Sequence, residues 1–102
     1  MLLAFSIAPL TADESGSVSA AVARAIRIVR ASGIPHHTDS MFTTLEGEWD
    51  ECLAVVKACV DALTADFPRV SVVMKADIRP SHTGELVGKV DRLEQAVREQ
   101  LD

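Results

Sequence analysis

Two carboxylates on either side of a glycine, in Glu46-Gly47-Glu48, form the pattern in this sequence that most favours ligand chemistry. They end a strand-like segment, and in a strand positions i and i+2 point to the same face, about 7 Å apart. Two such carboxylates repel each other unless a cation or hydrogen-bond donors lie close to them. The pair therefore predicts a site for a cationic or amine-bearing ligand, or a general acid and base. Gly47 would point to the other side, where it would let the following helix approach closely or permit a bulge where the strand becomes helix.

Both carboxylates also have a purely structural interpretation. Glu48 can favour the N-terminus of the following helix through the helix dipole. Glu46 can form an ion pair with Lys75, which lies on a later strand and is predicted to face the same side of the sheet. These alternatives remain open from the sequence.

Three further polar residues carry the same ambiguity. The hydroxyl of Ser6 can bind a ligand, or the residue can serve only as a small side chain that permits close packing on the sheet. Asp77 and Arg79 share one face of a strand-like segment, so they can bind a ligand or pair with each other. Residue type and spacing do not decide between these interpretations.

Metal and redox chemistry find little support in the sequence. His36 and His37 are adjacent and would face opposite sides of a strand, and His82 is distant from both. Cys52 and Cys59 are seven residues apart on a predicted helix, which separates them by about 10 Å, whereas a disulfide needs less than about 7 Å. We predict two reduced, buried thiols, no metal site, no cofactor and no catalytic residues.

The composition favours a single globular domain over residues 1–102. The net charge of −5 argues against a nucleic-acid partner. The longest apolar stretch, residues 1–10, is too short to span a bilayer and lacks the basic segment of a signal peptide. These observations predict a cytoplasmic protein without a membrane partner.

Hydrophobic periodicity predicts four strands and three helices. We expect strands at residues 2–10, 34–40, 41–48 and 69–79, with the second at the sheet edge and a hairpin turn near Asp39-Ser40. The first helix should begin at an N-cap at Ser17, after a loop over residues 11–16, and end at Gly33. The other helices are expected at residues 49–65 and 85–101. The order predicts an α+β, ferredoxin-like βαββαβ sandwich with an additional C-terminal helix.

Three apolar stripes and one mixed sheet face complete this prediction. In the first two helices we expect a core formed by Val18, Val22, Ala25, Ile26, Val29, Cys52, Leu53, Val56, Cys59, Val60 and Leu63. The sheet face away from these helices would carry Ala4, Ser6, Ala8, Thr44, Glu46, Ser71, Val73, Lys75 and Asp77. The last helix has a heptad-like stripe of Leu86, Val90, Leu93 and Val97 that a small core does not need. The mixed face and this stripe predict a homo-oligomer, a dimer or larger.

Three stretches resemble the thiamine-binding protein family. They are a strand ending in Ile7-x-Pro9-Leu10 before Ser-Val-Ser, the run EGEWDE at residues 46–51, and RVSVVMKADIR at residues 69–79. The resemblance implies a ferredoxin-like fold, assembly into homodimers or homotetramers, and a pocket for thiamine or its hydroxymethylpyrimidine portion. With the polar candidates above, it gives the predicted ligand-binding set Ser6, Thr43, Glu46, Glu48, Lys75 and Asp77. Thr43 enters this set through the resemblance alone.

The sequence departs from the family pattern before the EGEWDE run. Phe42 stands where relatives often have glycine, and its ring can fill part of a pocket or stack on a ligand. The favoured function is non-catalytic binding of a thiamine-like molecule. The alternatives are a small ferredoxin-like oligomeric enzyme acting on an aromatic substrate, and a structural or regulatory subunit.

Overall fold

The computed structural model describes residues 1–10 and 18–101, so the predicted loop at residues 11–16 and the cap at Ser17 lie outside it. The predicted order of elements is confirmed. The strands are β1 (Leu2–Pro9), β2 (His36–Thr38), β3 (Thr43–Glu46) and β4 (Val70–Asp77). The helices are α1 (Ser19–Ser32), α2 (Trp49–Thr64) and α3 (Glu85–Leu101).

The four strands form one antiparallel sheet in the order β2-β3-β1-β4. Leu2 of β1 lies between Glu46 of β3 and Asp77 of β4. The C-terminal ends of β3 and β4 therefore lie at the same end of the sheet, on either side of the start of β1. Together with the two crossover helices, this order is the ferredoxin-like arrangement, and the edge position predicted for β2 is confirmed.

The hairpin between β2 and β3 turns where the sequence predicts, although both strands are shorter than expected. The backbone N–H of Asp39 donates to the carbonyl of Phe42 at 2.9 Å. Oδ1 of Asp39 accepts from the backbone N–H groups of Met41 and Phe42 at 2.8 and 2.9 Å. These two bonds hold the pKa of Asp39 below its usual value. The aspartate thus closes the turn with its own side chain.

The core lies between α1, α2 and the face of β1 that carries Leu3, Phe5 and Ile7, all of which are buried. Small residues dominate the buried face of α1, where Ala21 and Ala25 pack together with Val29. The predicted stripe for this helix is partly wrong, because it follows the larger apolar side chains: Val18 is exposed, and Val22 and Ile26 are half-buried. Small side chains let two helix backbones approach each other closely.

The buried face of α2 also differs from the predicted stripe. Val55 is buried, whereas Leu53 is exposed and Val60 is half-buried. Cys52 and Cys59 are buried, free thiols, as predicted. The thiol of Cys59 donates to the carbonyl of Ala25 on α1 at 3.5 Å. Burial raises the pKa of this thiol to about 11, so it remains protonated at neutral pH.

The end of α1 follows its predicted chemistry. Gly33 is the C-cap residue and has φ 76°, in the left-handed region that a glycine adopts without steric cost.

Within residues 1–10 and 18–101, no helix has the length and hydropathy needed to cross a membrane.

Candidate ligand-binding site

β3 includes only the first of the two glutamates in the EGEWDE run. Glu46 is the last residue of β3, whereas Glu48 is the N-cap of α2. The prediction that both side chains project from one strand face is therefore wrong. Glu48 and Glu51 form a capping box, in which each side chain accepts a hydrogen bond from the other's backbone N–H. The two carboxylates thus accept from the backbone N–H groups of two different helices, Glu48 from α2 and Glu46 from α3.

Gly47 has a different role from the predicted one. Its backbone exchanges two hydrogen bonds with Met1, one from the Gly47 N–H at 3.1 Å and one from the terminal amine at 2.8 Å. A Cβ at this position would meet the side chains of Cys52 and Glu51 at 3.5 Å, an ordinary contact distance. Close approach of α2 therefore does not require glycine, contrary to the sequence-based interpretation.

Glu46 caps a second helix from a distance. Its Oε2 accepts the backbone N–H of Glu85 at 2.7 Å, and its Oε1 accepts that of Leu86 at 3.3 Å. These N–H groups begin α3 and have no partner within the helix. The alternative ion pair with Lys75 does not form among the described residues. The predicted ligand role of Glu46 stays a prediction, and its carboxylate already has two donors.

A second contact fixes α3 against the sheet. Asp77 forms a salt bridge with Lys89 of α3 rather than with Arg79. The hydrogen bond from Lys89 holds the pKa of Asp77 below its usual value. A recess of 210 Å³ lies on this open face of the sheet, lined by Leu2, Ala4, Thr44, Lys75, Asp77 and Lys89. Lys75 and Asp77 are therefore neighbours, as the sequence predicts, but the carboxylate of Asp77 is paired with Lys89 of α3.

A larger pocket lies at the end of the sheet where the EGEWDE run begins α2. Its volume is 320 Å³, and we call it the Trp49 pocket. Trp49 is 48% exposed, which leaves much of the indole accessible to a ligand. The lining residues are Met1, Glu48, Trp49, Ile78, Arg79, Pro80, Ser81, His82 and Thr83. Of the predicted set, only Glu48 lines this pocket.

A third pocket, of 230 Å³, lies at the opposite end of the sheet and is called here the hairpin pocket. It is lined by Phe5, Ser6, Ile7, Val22, Ile26, Thr38, Asp39, Ser40, Met41, Phe42 and Thr43. The hydroxyls of Thr38 and Thr43 are 3.0 Å apart and bond to each other. Ser6, Thr43 and Phe42 thus come together at the hairpin end of β3, whereas Glu48 follows the other end of this strand.

The structure therefore distributes five of the six predicted residues over three places, while the sixth, Glu46, caps α3. Ser6 and Thr43 line the hairpin pocket, Lys75 and Asp77 line the open-face recess, and Glu48 lines the Trp49 pocket. Residues 78–83 form a wall of the Trp49 pocket that the sequence does not predict. The sequence does contain one signal for the position of this pocket: its single tryptophan lies in the most family-specific run. In the described part of the chain no group of three or more His, Cys, Asp or Glu residues could hold a metal ion.

The sheet order and the two crossover helices define a small α+β domain of ferredoxin-like fold. Comparison with known proteins narrows this class. The profile of the family described as Thiamine-binding protein matches residues 3–94, and the chain belongs to this family. A UPF0045 protein of Mycobacterium bovis is 47% identical over 96 residues, covering 93% of this chain and 92% of the relative.

Solved structures give the same fold. A protein of Methanocaldococcus jannaschii superposes with a TM-score of 0.81 at 29% identity, covering 91% of this chain and 94% of that one. A candidate thiamine biosynthesis/salvage protein of Thermotoga maritima superposes with a TM-score of 0.70 at 26% identity, covering 91% of this chain and 99% of that one. A domain of unknown function from Bacillus cereus is 34% identical with a TM-score of 0.72, over 82% of each chain.

Proposed function

We propose that this protein binds thiamine, or its hydroxymethylpyrimidine portion, in the Trp49 pocket and releases it unchanged. The observation that carries the proposal is that two residues of the family-specific EGEWDE run, Glu48 and Trp49, line the same 320 Å³ pocket. Such a volume lies at the lower end of the range for small-molecule sites, about 300–1,000 Å³. The family to which the chain belongs is described as thiamine-binding.

The pocket has groups that match both rings of thiamine. The exposed indole of Trp49 offers a face for stacking on the pyrimidine or for a cation–π contact with the positively charged thiazolium. The carboxylate of Glu48 is acceptor-only and has about four lone-pair sites. It can therefore accept from the exocyclic amine of the pyrimidine while it continues to cap α2.

Binding without catalysis is favoured because each of the two carboxylates already accepts backbone hydrogen bonds from a different helix. Glu46 caps α3 and Glu48 caps α2, so they do not form a general acid–base pair on one face. We also propose that the protein is cytoplasmic, because unpaired thiols such as Cys52 and Cys59 are typical of a reducing compartment.

We also propose that the protein works as a homodimer or homotetramer. The stripe of α3 that the sequence singles out is largely uncovered in a single chain: Val90, Leu93 and Val97 are 54%, 62% and 44% exposed. On the edge strand β4, Val73 on the open face and Met74 on the opposite face are also exposed. Burial of such apolar surface is the main driving force for protein association.

The single tryptophan makes the test direct, because all indole emission comes from Trp49. We expect saturable changes in its fluorescence on titration with thiamine and with hydroxymethylpyrimidine, and a ligand-dependent rise in Tm. Trp49→Ala should weaken binding measured by calorimetry by about tenfold, because a stacking contact of about 1–1.5 kcal/mol is lost.

Leu53→Ala is the matched control. Leu53 lies one turn further along α2, is 39% exposed and does not line the pocket, so this variant should bind like the parent. Normal thiamine affinity in Trp49→Ala, or no binding of either compound to the parent, would overturn the proposal.

A further inference from the structure

The Trp49 pocket has a cationic side as well as the carboxylate of Glu48. Arg79 lines it, and this guanidinium forms no salt bridge with any residue that the structure describes. Asp77, the partner that the sequence suggests for Arg79, is paired with Lys89 instead. The planar donor array of Arg79 is therefore available to an external anion.

A tight turn presents Arg79 and His82 together. The backbone N–H of His82 donates to the carbonyl of Arg79 at 3.2 Å, which closes a four-residue turn through Pro80 and Ser81. Ser81 has φ 66°, a value rare outside glycine, while proline precedes it as in a type II turn. Such backbone strain persists where the surrounding structure requires it, and it is concentrated at ligand sites.

The ring of His82 is oriented by the same turn. Its Nδ1 lies 3.1 Å from the carbonyl oxygen of Pro80. A carbonyl only accepts, so Nδ1 carries the proton and Nε2 is left to face a ligand. The doubly protonated form of a histidine ring offers both nitrogens as donors, and in that form Nε2 can donate to an anion.

Arg79 and His82 both contribute to the electrostatics of a neighbouring carboxylate. The pKa of Glu85 is held below its usual value mainly by the hydrogen bond from Arg92, with further contributions from Arg79 and His82. Arg79 and His82 therefore lie close to the start of α3, on the wall of the pocket formed by the β4–α3 connection. One pocket thus combines a carboxylate and an indole with a guanidinium and an imidazole.

We propose that this pocket takes phosphate esters of the thiamine-like ligand, with Arg79 and His82 as the residues that bind the phosphate. The inference rests on the proposed function, because the same pocket holds the aromatic rings. A thiamine phosphate carries a cationic ring and an anionic group on one molecule. It therefore matches a pocket with Glu48 and Trp49 at the start of α2 and with the guanidinium of Arg79 and the imidazole of His82 on the β4–α3 turn. Since the chain carries a net charge of −5, attraction of phosphate has to come from these local groups rather than from the overall field.

The test compares the dissociation constants of thiamine and thiamine diphosphate, measured by Trp49 fluorescence and calorimetry at one fixed ionic strength. The parent protein should bind the diphosphate about tenfold more tightly, as expected of a charge-assisted hydrogen bond to a partly solvated arginine. In Arg79→Gln this ratio should fall to about one, and in His82→Gln it should fall part of the way. Arg27→Gln, an exposed arginine on α1, is the matched control and should keep the ratio.

The outcomes separate the two proposals. If neither compound binds, the proposed function and this inference both fail. If thiamine binds but the diphosphate binds equally or more weakly, the inference alone is overturned. A tenfold preference that survives in Arg79→Gln would overturn the assignment of the phosphate to this turn.

Discussion

At Glu46, two backbone N–H groups of α3 occupy the carboxylate for which the sequence predicts a ligand. The sequence correctly identifies an acidic side chain that needs donors. It does not reveal the donors, because Glu85 and Leu86 lie 39 and 40 residues further along the chain. Local spacing relates Glu46 only to its neighbours in the strand, whereas the cap depends on where α3 begins in space.

Replacement of Glu46 by glutamine tests this capping role. The amide side chain would keep one acceptor oxygen but lose the negative charge next to the helix N-terminus, so the free energy of unfolding should fall by about 1 kcal/mol. Hydrogen exchange should accelerate at the amides of Glu85 and Leu86 in particular, because these two N–H groups lose protection.

Glu94→Gln is the control, since Glu94 is exposed in the middle of α3. Exchange at Glu85 and Leu86 in this variant should match the parent. Unchanged exchange in Glu46→Gln, together with a loss of thiamine affinity of tenfold or more, would show that Glu46 acts on the ligand and that the cap contributes little.

Helix boundaries show which element-level features the sequence can predict. Glycine at the end of α1 and acidic residues at the start of α2 mark these ends, because each signal acts within one turn of the helix. The buried faces are predicted less well. Ala21 and Val55 are buried, whereas the larger Leu53 is exposed. Which face is buried depends on how two helices approach each other, and hydrophobicity along one helix does not contain that information.

Two glycines next to helices should respond differently to alanine. Gly33 has φ 76°, where a Cβ is strained even with open space around it, so Gly33→Ala should lower the free energy of unfolding by about 1 kcal/mol. Gly47 lies outside this region, and its added Cβ would make only ordinary contacts. Gly47→Ala should therefore be neutral or stabilising by up to about 1 kcal/mol, because the unfolded chain becomes less flexible.

Urea unfolding of both variants provides the measurement, and each serves as the control for the other. A loss of stability in Gly47→Ala equal to that in Gly33→Ala would mean that α2 and β3 need glycine between them after all.

The molecule is elongated, and α3 is the one element that the βαββαβ order does not require. The radius of gyration is 15.9 Å, compared with about 13 Å for a compact domain of 100 residues. The longest dimension is 55 Å against 19 Å for the shortest. The sequence predicts α3 and its apolar stripe correctly. It does not predict that α3 is fixed to the sheet near its start, through Glu46 and Lys89.

An exposed apolar stripe on a long terminal helix is the strongest structural reason to expect a second copy of the chain. Leu93 is the most exposed of the stripe residues Val90, Leu93 and Val97, at 62%, and it belongs to no core cluster. A glutamate there would bring a charge into an intersubunit contact without affecting the core of one chain.

We therefore expect light scattering to give at least twice the 11.0 kDa chain mass for the parent and a shift toward 11.0 kDa for Leu93→Glu. Leu53→Glu, at an exposed position on α2, should keep the mass of the parent. A parent protein that is monomeric at micromolar concentration, or a Leu93→Glu variant with unchanged mass, would show that this stripe does not hold copies of the chain together.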